Sequence, residues 1–146
     1  MQKITPFLWY NNQAEEAAKF YCGIFKNSQI TSVTRMIVTF ELDGQKFMAL
    51  NGSPHFQFNE AISMFVNCDT QEEIDYFWDA LSDDGEQSMC GWLKDKFGLS
   101  WQVVPSVLSK MMQDKDPEKV QRVSQAFLKM TKFNIEALQH AFEGRK

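Results

Sequence analysis

A short segment near the start of the chain recurs further along it at a constant spacing. Residues 4–8 read ITPFL and residues 62–66 read ISMFV, and the glutamines Gln13 and Gln71 follow them at the same distance. Each copy combines an apolar run of strand length with a following stretch of helical periodicity. The sequence therefore predicts a strand–helix module that occurs twice. Matched positions of two such modules can converge on one site.

Size and charge exclude several classes of protein. A chain of 146 residues is predicted to form one domain. Its net charge of −4, without a long run of Lys or Arg, argues against a nucleic-acid partner. No apolar run approaches the roughly 18 residues that a membrane helix needs, and the N-terminus lacks a signal-peptide pattern. We therefore expect a cytoplasmic protein without a membrane partner.

The cysteines add to these exclusions. Cys22, Cys68 and Cys90 are odd in number and have no CxxC spacing. A disulfide framework needs paired cysteines, and thiolate metal sites usually use such closely spaced pairs. We expect neither in this chain.

Local signals outline the first module. Lys3–Trp9 is predicted as a strand, and Asn12 is predicted to cap the helix that follows it. Gln29–Leu42 has strand character, and Asp43-Gly44 is a strong hairpin signal that leads to a returning strand. Typical strands have about 5–6 residues, so a turn is expected near Arg35-Met36, although no usual turn residue is present there.

The second module has the same order of elements and is followed by helices. Ala61–Cys68 is predicted as a strand, and Thr70 with Glu73 forms a capping box. Strands are predicted over 87–93 and 99–104. Three further helices are predicted to begin at Pro105, Asp116 and Asn134.

These elements define the predicted architecture. We expect an α+β fold of paired β-α-β-β-β modules with C-terminal helices. Module one covers about 1–60, module two about 61–105, and a helical tail about 106–146. No linker or low-complexity segment divides the chain, so a single domain over 1–146 is expected.

Two longer segments carry a resemblance to a known family. Residues 50–63 read LNGSPHFQFNEAIS and residues 90–102 read CGWLKDKFGLSWQ; with Ile4-Thr5-Pro6 and the helix over 71–75 they resemble the PhnB-like family. That family belongs to the glyoxalase/bleomycin-resistance/extradiol-dioxygenase superfamily, also called the vicinal oxygen chelate fold. Its members often carry the label 3-demethylubiquinone-9 3-methyltransferase. The resemblance implies curved sheets around a cup and a homodimer.

This sequence departs from the family pattern in one loop. Relatives generally have a loop rich in Gly and Pro where Arg35 meets Met36 in this chain. Either the loop is deleted in this molecule or it is missing from the printed sequence.

The resemblance also bears on metal binding, because metal-dependent members carry His or Glu on the first and last strands of each module. Here residues 4–8 and 62–66 contain no His, Asp, Glu or Cys, and Gln102 stands where the resemblance places a glutamate ligand. A catalytic metal needs about three protein ligands, and His55 is the single candidate. We expect no metal site.

The methyltransferase label has no support from sequence motifs. A dinucleotide-type cofactor site needs closely spaced glycines after its first strand, and no two of the seven glycines are spaced as GxG. We expect no cofactor.

Polar residues within apolar strands are the best guide to a ligand site. Ser63 and Gln102 interrupt apolar runs, and a buried amide without a partner costs about 1–3 kcal/mol. The chain also has 13 Phe and 4 Trp, which suits an aromatic cup, although core packing also accounts for such residues. We expect an apolar or aromatic small molecule as ligand. The predicted ligand-binding residues are Asn51, His55, Ser63, Phe65, Trp92, Trp101 and Gln102.

Two other functions stay open at the level of sequence. One is a metal-independent isomerase, lyase or transferase that uses His55 or Cys90. The other is a structural or regulatory dimer whose aromatic side chains fill the cup completely. Pocket volume distinguishes the dimer with a filled cup from a protein that binds a small molecule, because a ligand site offers several hundred Å3.

Overall fold

The chain divides into two compact units, Met1–Asn59 and Glu60–Lys146. The computed structural model describes residues 2–145.

The first unit is one β-α-β-β-β module. Its elements are β1 (Phe7–Asn11), α1 (Ala14–Ile24), β2 (Gln29–Val33), β3 (Ile37–Leu42) and β4 (Gln45–Gly52). The four strands form a sheet in the order β1-β4-β3-β2. Strand β1 is parallel to β4, whereas the other neighbours are antiparallel.

The second unit contains a module of the same topology. Its elements are β5 (Met64–Cys68), α2 (Gln71–Ser82), β6 (Glu86–Gln87), β7 (Trp92–Lys94) and β8 (Ser100–Pro105). The sheet order is β5-β8-β7-β6, and β5 is parallel to β8. The predicted duplication and the predicted α+β fold of paired modules are therefore confirmed.

Each sheet packs one face against the helix of its own module. In the first unit, α1 presents the small residues Ala14, Ala17 and Ala18, which are fully buried and let the helix approach the sheet closely. The Tyr10 hydroxyl on β1 meets the Tyr21 hydroxyl on α1 at 2.9 Å. This buried hydrogen bond links the strand to the helix.

Both turns that the sequence predicts in the first unit are present. Asp43 and Gly44 both have positive φ, at 49° and 80°, as a tight two-residue hairpin requires. The predicted turn near Arg35-Met36 is present between β2 and β3. Thr34 closes it, because its backbone N–H donates to the Ile37 carbonyl at 2.9 Å and its hydroxyl accepts from the Ile37 N–H at 2.9 Å.

The predicted cap of the first helix was wrong. Asn12 lies in the left-handed region at φ 55°, and Gln13 is the N-cap without a side-chain hydrogen bond. The Asn51 side chain replaces it, since its Oδ1 accepts from the Ala14 N–H at 2.8 Å. The other three predicted caps are confirmed at Thr70, Asp116 and Asn134.

One predicted strand was also wrong in extent. Residues 87–93 split into β6 and β7, because Cys90 and Gly91 both have positive φ, at 59° and 78°, and turn the chain between them. Strand β1 begins at Phe7 rather than at Lys3. These corrections leave the order of elements unchanged.

Three helices follow the second sheet: α3 (Ser106–Met112), α4 (Pro117–Phe127) and α5 (Ile135–Glu143). We refer to residues 106–145 as the tail. Arg122 on α4 links that helix to the C-terminal end of α5. Its guanidinium donates to the Ala141 and Phe142 carbonyls, each at 2.9 Å. Within residues 2–145, none of the helices has the length and apolarity needed to span a membrane.

Replacing Gly91 by Ala is expected to destabilise the protein by at least about 2 kcal/mol. Gly91 has φ 78°, and an added Cβ would lie 2.8 Å from the Val103 carbonyl oxygen and against the Phe133 ring. The control is Gly23→Ala in α1, where an added Cβ meets no atom within 4 Å. This control should stabilise the protein by about 0.5–1 kcal/mol. Urea unfolding measures both changes, and equal effects of the two substitutions would contradict the prediction.

Candidate functional site

Three side chains form a row across the second sheet. Gln102 on β8 pairs with Phe65 on β5 and with Trp92 on β7 in the strand register. Paired residues point to the same face of a sheet. We call Phe65, Gln102 and Trp92 the central row. It places one amide between two aromatic rings on the face opposite α2.

The amide of the central row is held in place by a second predicted residue. Gln102 Nε2 donates to Ser63 Oγ at 3.0 Å. Among residues 2–145, Ser63 is the one hydrogen-bond partner of the Gln102 side chain. The side-chain carbonyl oxygen of Gln102 therefore stays available to a ligand. The two polar residues that interrupt apolar strands are therefore bonded to each other.

A cavity of about 470 Å3 lies over the central row, entirely within the second unit. On the side of the module it is lined by Phe65, Cys90, Trp92, Gln102 and Val104. On the side of the tail it is lined by Leu108, Ser109, Met112, Gln113, Phe127 and Phe133. Among these described residues there is no Asp, Glu, Lys, Arg or His, so the cavity is apolar with a few neutral polar groups.

The remaining predicted site residues lie elsewhere. Trp101 is 3% exposed and points away from the cavity, because it neighbours Gln102 on the same strand. Its indole N–H donates to the buried Asp95 carboxylate at 2.9 Å, and Asp95 also accepts from the N–H groups of Phe97 and Leu99. Asp95 thus organises the turn before β8.

Asn51 and His55 belong to the first unit and do not line the cavity. Besides capping α1, Asn51 donates from Nδ2 to the Arg35 carbonyl at 3.2 Å. The His55 side chain is exposed in its loop and stacks edge-on against Phe56 with ring centroids 5.0 Å apart. A ligand-binding role for either residue stays a prediction.

The three cysteines differ in their surroundings. Cys90 lines the cavity, and its Sγ lies 3.6 Å from the Phe127 carbonyl oxygen, to which it donates. Burial raises the pKa of Cys68 to about 12, with smaller effects of Glu73 and Asp69, and burial also raises the pKa of Cys22. Both thiols stay protonated at neutral pH, which makes them poor nucleophiles.

The tail is the part of the site that sequence reasoning missed. The sequence predicts three helices there but no part in a ligand site. Backbone hydrogen bonds attach the tail to the module: the Cys90 N–H donates to the Met130 carbonyl at 2.7 Å, and the Gly91 N–H donates to the Thr131 carbonyl at 2.8 Å. The positive φ of Cys90 and Gly91 directs consecutive N–H groups toward the tail.

Gln71 forms a second attachment. Its Nε2 donates to the Phe133 carbonyl at 3.0 Å, and its Oε1 accepts from the Ile135 N–H at 2.8 Å. The ion pair of Lys132 with Asp75, at 2.8 Å, lies beside it. The hydrogen bond from Lys132, followed by that from Gln71, lowers the pKa of Asp75, which therefore stays ionised at neutral pH.

The residues present do not fit a metal centre. Among residues 2–145, no group of three or more His, Cys, Asp or Glu is arranged to hold a metal ion. At the central row the donor is a neutral amide flanked by two aromatic rings, and a divalent metal prefers carboxylate or imidazole ligands. The side chains of the central row are therefore a poor set of metal ligands.

The paired modules and their sheet order define a glyoxalase-like fold. The sequence model of the 3-demethylubiquinone-9 3-methyltransferase family matches residues 2–104. The chain belongs to this PhnB-like family.

Solved structures support the same assignment. A PhnB protein from Bacillus cereus, which carries the 3-demethylubiquinone-9 3-methyltransferase name, is 36% identical with a TM-score of 0.68. The match covers 72% of this chain and 100% of that chain. Protein PA1353 from Pseudomonas aeruginosa is 19% identical with a TM-score of 0.58, covering 72% of this chain and 98% of its own, which indicates the shared fold. A search of curated proteins finds no match.

A more distant structure has the same fold under a different name. A glyoxalase-related enzyme from Fulvimarina pelagi is 10% identical with a TM-score of 0.51, and the match covers 73% of this chain and 91% of that one. The family match ends at residue 104, two residues before α3 begins. The tail that lines half of the cavity therefore lies outside the matched family region.

Replacing Gln71 by Ala is expected to loosen the tail and to destabilise the protein by about 1–3 kcal/mol, because the Phe133 carbonyl and the Ile135 N–H lose their partner. The duplication supplies a control. Gln13 occupies the matched position in the first module. Within residues 2–145 its side chain bonds only the exposed Glu16, so Gln13→Ala should change stability by less than about 0.5 kcal/mol. Urea unfolding with hydrogen exchange of residues 133–138 measures both. Unchanged exchange in Gln71→Ala would contradict the prediction.

Proposed function

We propose that this protein binds a small, uncharged and mainly apolar or aromatic molecule in the cavity of its second unit. The observation that carries the proposal is the Gln102 amide, whose one hydrogen-bond partner among residues 2–145 is Ser63 and which lies between Phe65 and Trp92 on the cavity wall. We propose the cytoplasm as its location.

The energetics of the amide favour a ligand with a polar group. Gln102 is part-buried, and its side-chain carbonyl oxygen accepts no hydrogen bond among residues 2–145. Covering this oxygen with a ligand that cannot donate to it would cost about 1–3 kcal/mol. A hydroxyl or N–H group on the ligand would satisfy the Gln102 carbonyl oxygen and orient the molecule. Aromatic rings on both sides of the amide suit a flat apolar body, because stacked and edge-on ring contacts stabilise such pairs.

The volume of the cavity supports a ligand rather than solid packing. Small-molecule sites span roughly 300–1,000 Å3, and this cavity measures about 470 Å3. The third possibility raised by the sequence is a non-catalytic dimer whose aromatic side chains fill the cup. That possibility does not account for the open volume over the central row.

Methyl transfer is a weaker candidate than binding. A nucleoside methyl donor carries a sulfonium charge and ribose hydroxyls, which proteins usually meet with carboxylates. The cavity residues include no Asp or Glu among those described. The residues present therefore do not fit that cofactor.

A metal-independent enzyme acting through Cys90 is the second candidate, because the Cys90 thiol lies on the wall of the cavity. The variant Cys90→Ala separates the two functions once a substrate is found. Retained ligand binding with loss of turnover would establish catalysis by this thiol, whereas retained turnover would exclude it.

Filling the cavity tests the proposal with a neutral probe. N-phenyl-1-naphthylamine is uncharged, apolar and fluorescent when it leaves water. Ser109→Trp places a large ring on the lining of the cavity and should weaken binding of the probe at least about tenfold. The control is Gln125→Trp on the exposed surface of α4, outside the lining. Fluorescence titration measures each affinity. Equal affinities of Ser109→Trp and the wild-type protein would refute the site.

We also propose a homodimer that uses the first unit. The face of its sheet opposite α1 carries Phe7, Trp9, Met48 and Leu50, and Phe7 is 51% exposed. Exposed apolar faces of this kind often mark protein interfaces. Phe7→Glu should weaken dimerisation at least about tenfold, whereas Gln13→Glu on the helical side should not. Sedimentation velocity checks both, and a monomeric wild-type protein would refute the proposal.

A further inference from the structure

We propose that the tail is the specificity-determining element of this protein: the family module supplies one side of the ligand cavity, and the tail selects uncharged ligands on the other side. This inference rests on the proposed ligand-binding function and adds the element that decides which molecules bind.

The tail is an addition to the family module. The family match covers residues 2–104, and the complete chain of the Bacillus cereus relative aligns with 72% of this chain. Six of the lining residues come from the tail, which begins at Ser106. In this chain the module therefore supplies the central row, and the tail supplies the opposite side of the cavity.

The tail is held as a fixed wall. Its attachments are backbone hydrogen bonds of 2.7 and 2.8 Å from Cys90 and Gly91, together with the two hydrogen bonds of Gln71. Phe133, whose carbonyl accepts from Gln71, is 2% exposed. Its ring packs edge-on against that of Phe127, with centroids 6.3 Å apart. A wall fixed in this way can discriminate between ligands by size and by polarity.

The helical period of α3 keeps charge out of the cavity. Ser109, Met112 and Gln113 follow one another at the spacing of a single helix face and line the cavity. The charged residues between and after them, Lys110 and Asp114, are exposed and do not line it. A charged group placed against this lining would lose part of its hydration and meet only neutral side chains, which is costly, whereas an uncharged ligand has no such penalty.

Two probes with the same ring skeleton test this selection. N-phenyl-1-naphthylamine is neutral, and 8-anilinonaphthalene-1-sulfonate adds one sulfonate to that skeleton. The wild-type protein should bind the neutral probe at least about tenfold more tightly than the sulfonate. Met112→Lys places a cation on the tail side of the cavity and should reverse that preference. Met112 lies in the last turn of α3 and is 39% exposed, so a lysine is tolerated there.

Matched variants separate a local effect from a general one. Gln125→Lys adds the same charge to the exposed surface of α4, outside the cavity, and should leave the ratio of the two affinities unchanged within about twofold. Met112→Gln, which adds polarity without charge, should keep the preference for the neutral probe. Urea unfolding of each variant verifies that the protein is folded.

Failure of this inference and failure of the proposed function give different results. A wild-type protein that binds neither probe, or whose binding is insensitive to Ser109→Trp, refutes the ligand site itself. A wild-type protein that binds the neutral probe in a manner abolished by Ser109→Trp, but keeps its ratio of affinities in Met112→Lys, refutes selection by the tail. A wild-type preference for the sulfonate also refutes it.

Discussion

Each module has one sheet with two faces but only one helix to cover them, and the rest of the structure depends on this constraint. Helix α1 or α2 buries one face of its sheet. The opposite face carries apolar side chains such as Phe7 and Phe65, which are 51% and 50% exposed. Apolar surface of this kind is stabilised by whatever removes it from water. In the second unit the tail contributes to that cover, and the incomplete contact between tail and sheet is the cavity.

The duplicated modules diverge where the cavity lies. Phe7 pairs with Met48, which pairs with Thr39, and the corresponding row of the second sheet is Phe65, Gln102 and Trp92. The aromatic residue of the first strand is conserved between the copies, whereas methionine is exchanged for an amide at the centre. Gln13 and Gln71 diverge similarly, since Gln71 holds the tail and Gln13 bonds a surface glutamate. Equivalent positions thus keep the fold in common but have different roles.

The sequence predicts those features that depend on local patterns. Alternating and helical periodicities gave the order of elements twice over, and the hairpin at Asp43-Gly44 follows from the φ values that those residues tolerate. The sequence also singles out Ser63 and Gln102 as polar residues in apolar strands, and these two side chains bond to each other. Features that join distant residues were missed. Asn51 caps a helix that begins 37 positions earlier, and Gln71 reaches residues more than 60 positions away. No local pattern encodes such pairs, so the sequence does not predict the part of the tail in the cavity.

The amide at position 102 and the neutral tail support the same conclusion about ligand chemistry. A carboxylate at that position, flanked by Phe65 and Trp92, would need a metal ion, a basic side chain or a proton to stabilise it in an apolar cavity. The described lining offers neither a basic residue nor further acidic ligands, and a glutamine keeps nearly the same shape without the charge. An amide can both donate and accept a hydrogen bond, and one of its N–H groups is already used by Ser63. The remaining carbonyl oxygen of Gln102 is best matched by a neutral hydrogen-bond donor on the ligand. The tail has no charged side chain on the face that lines the cavity, so it also favours a neutral ligand.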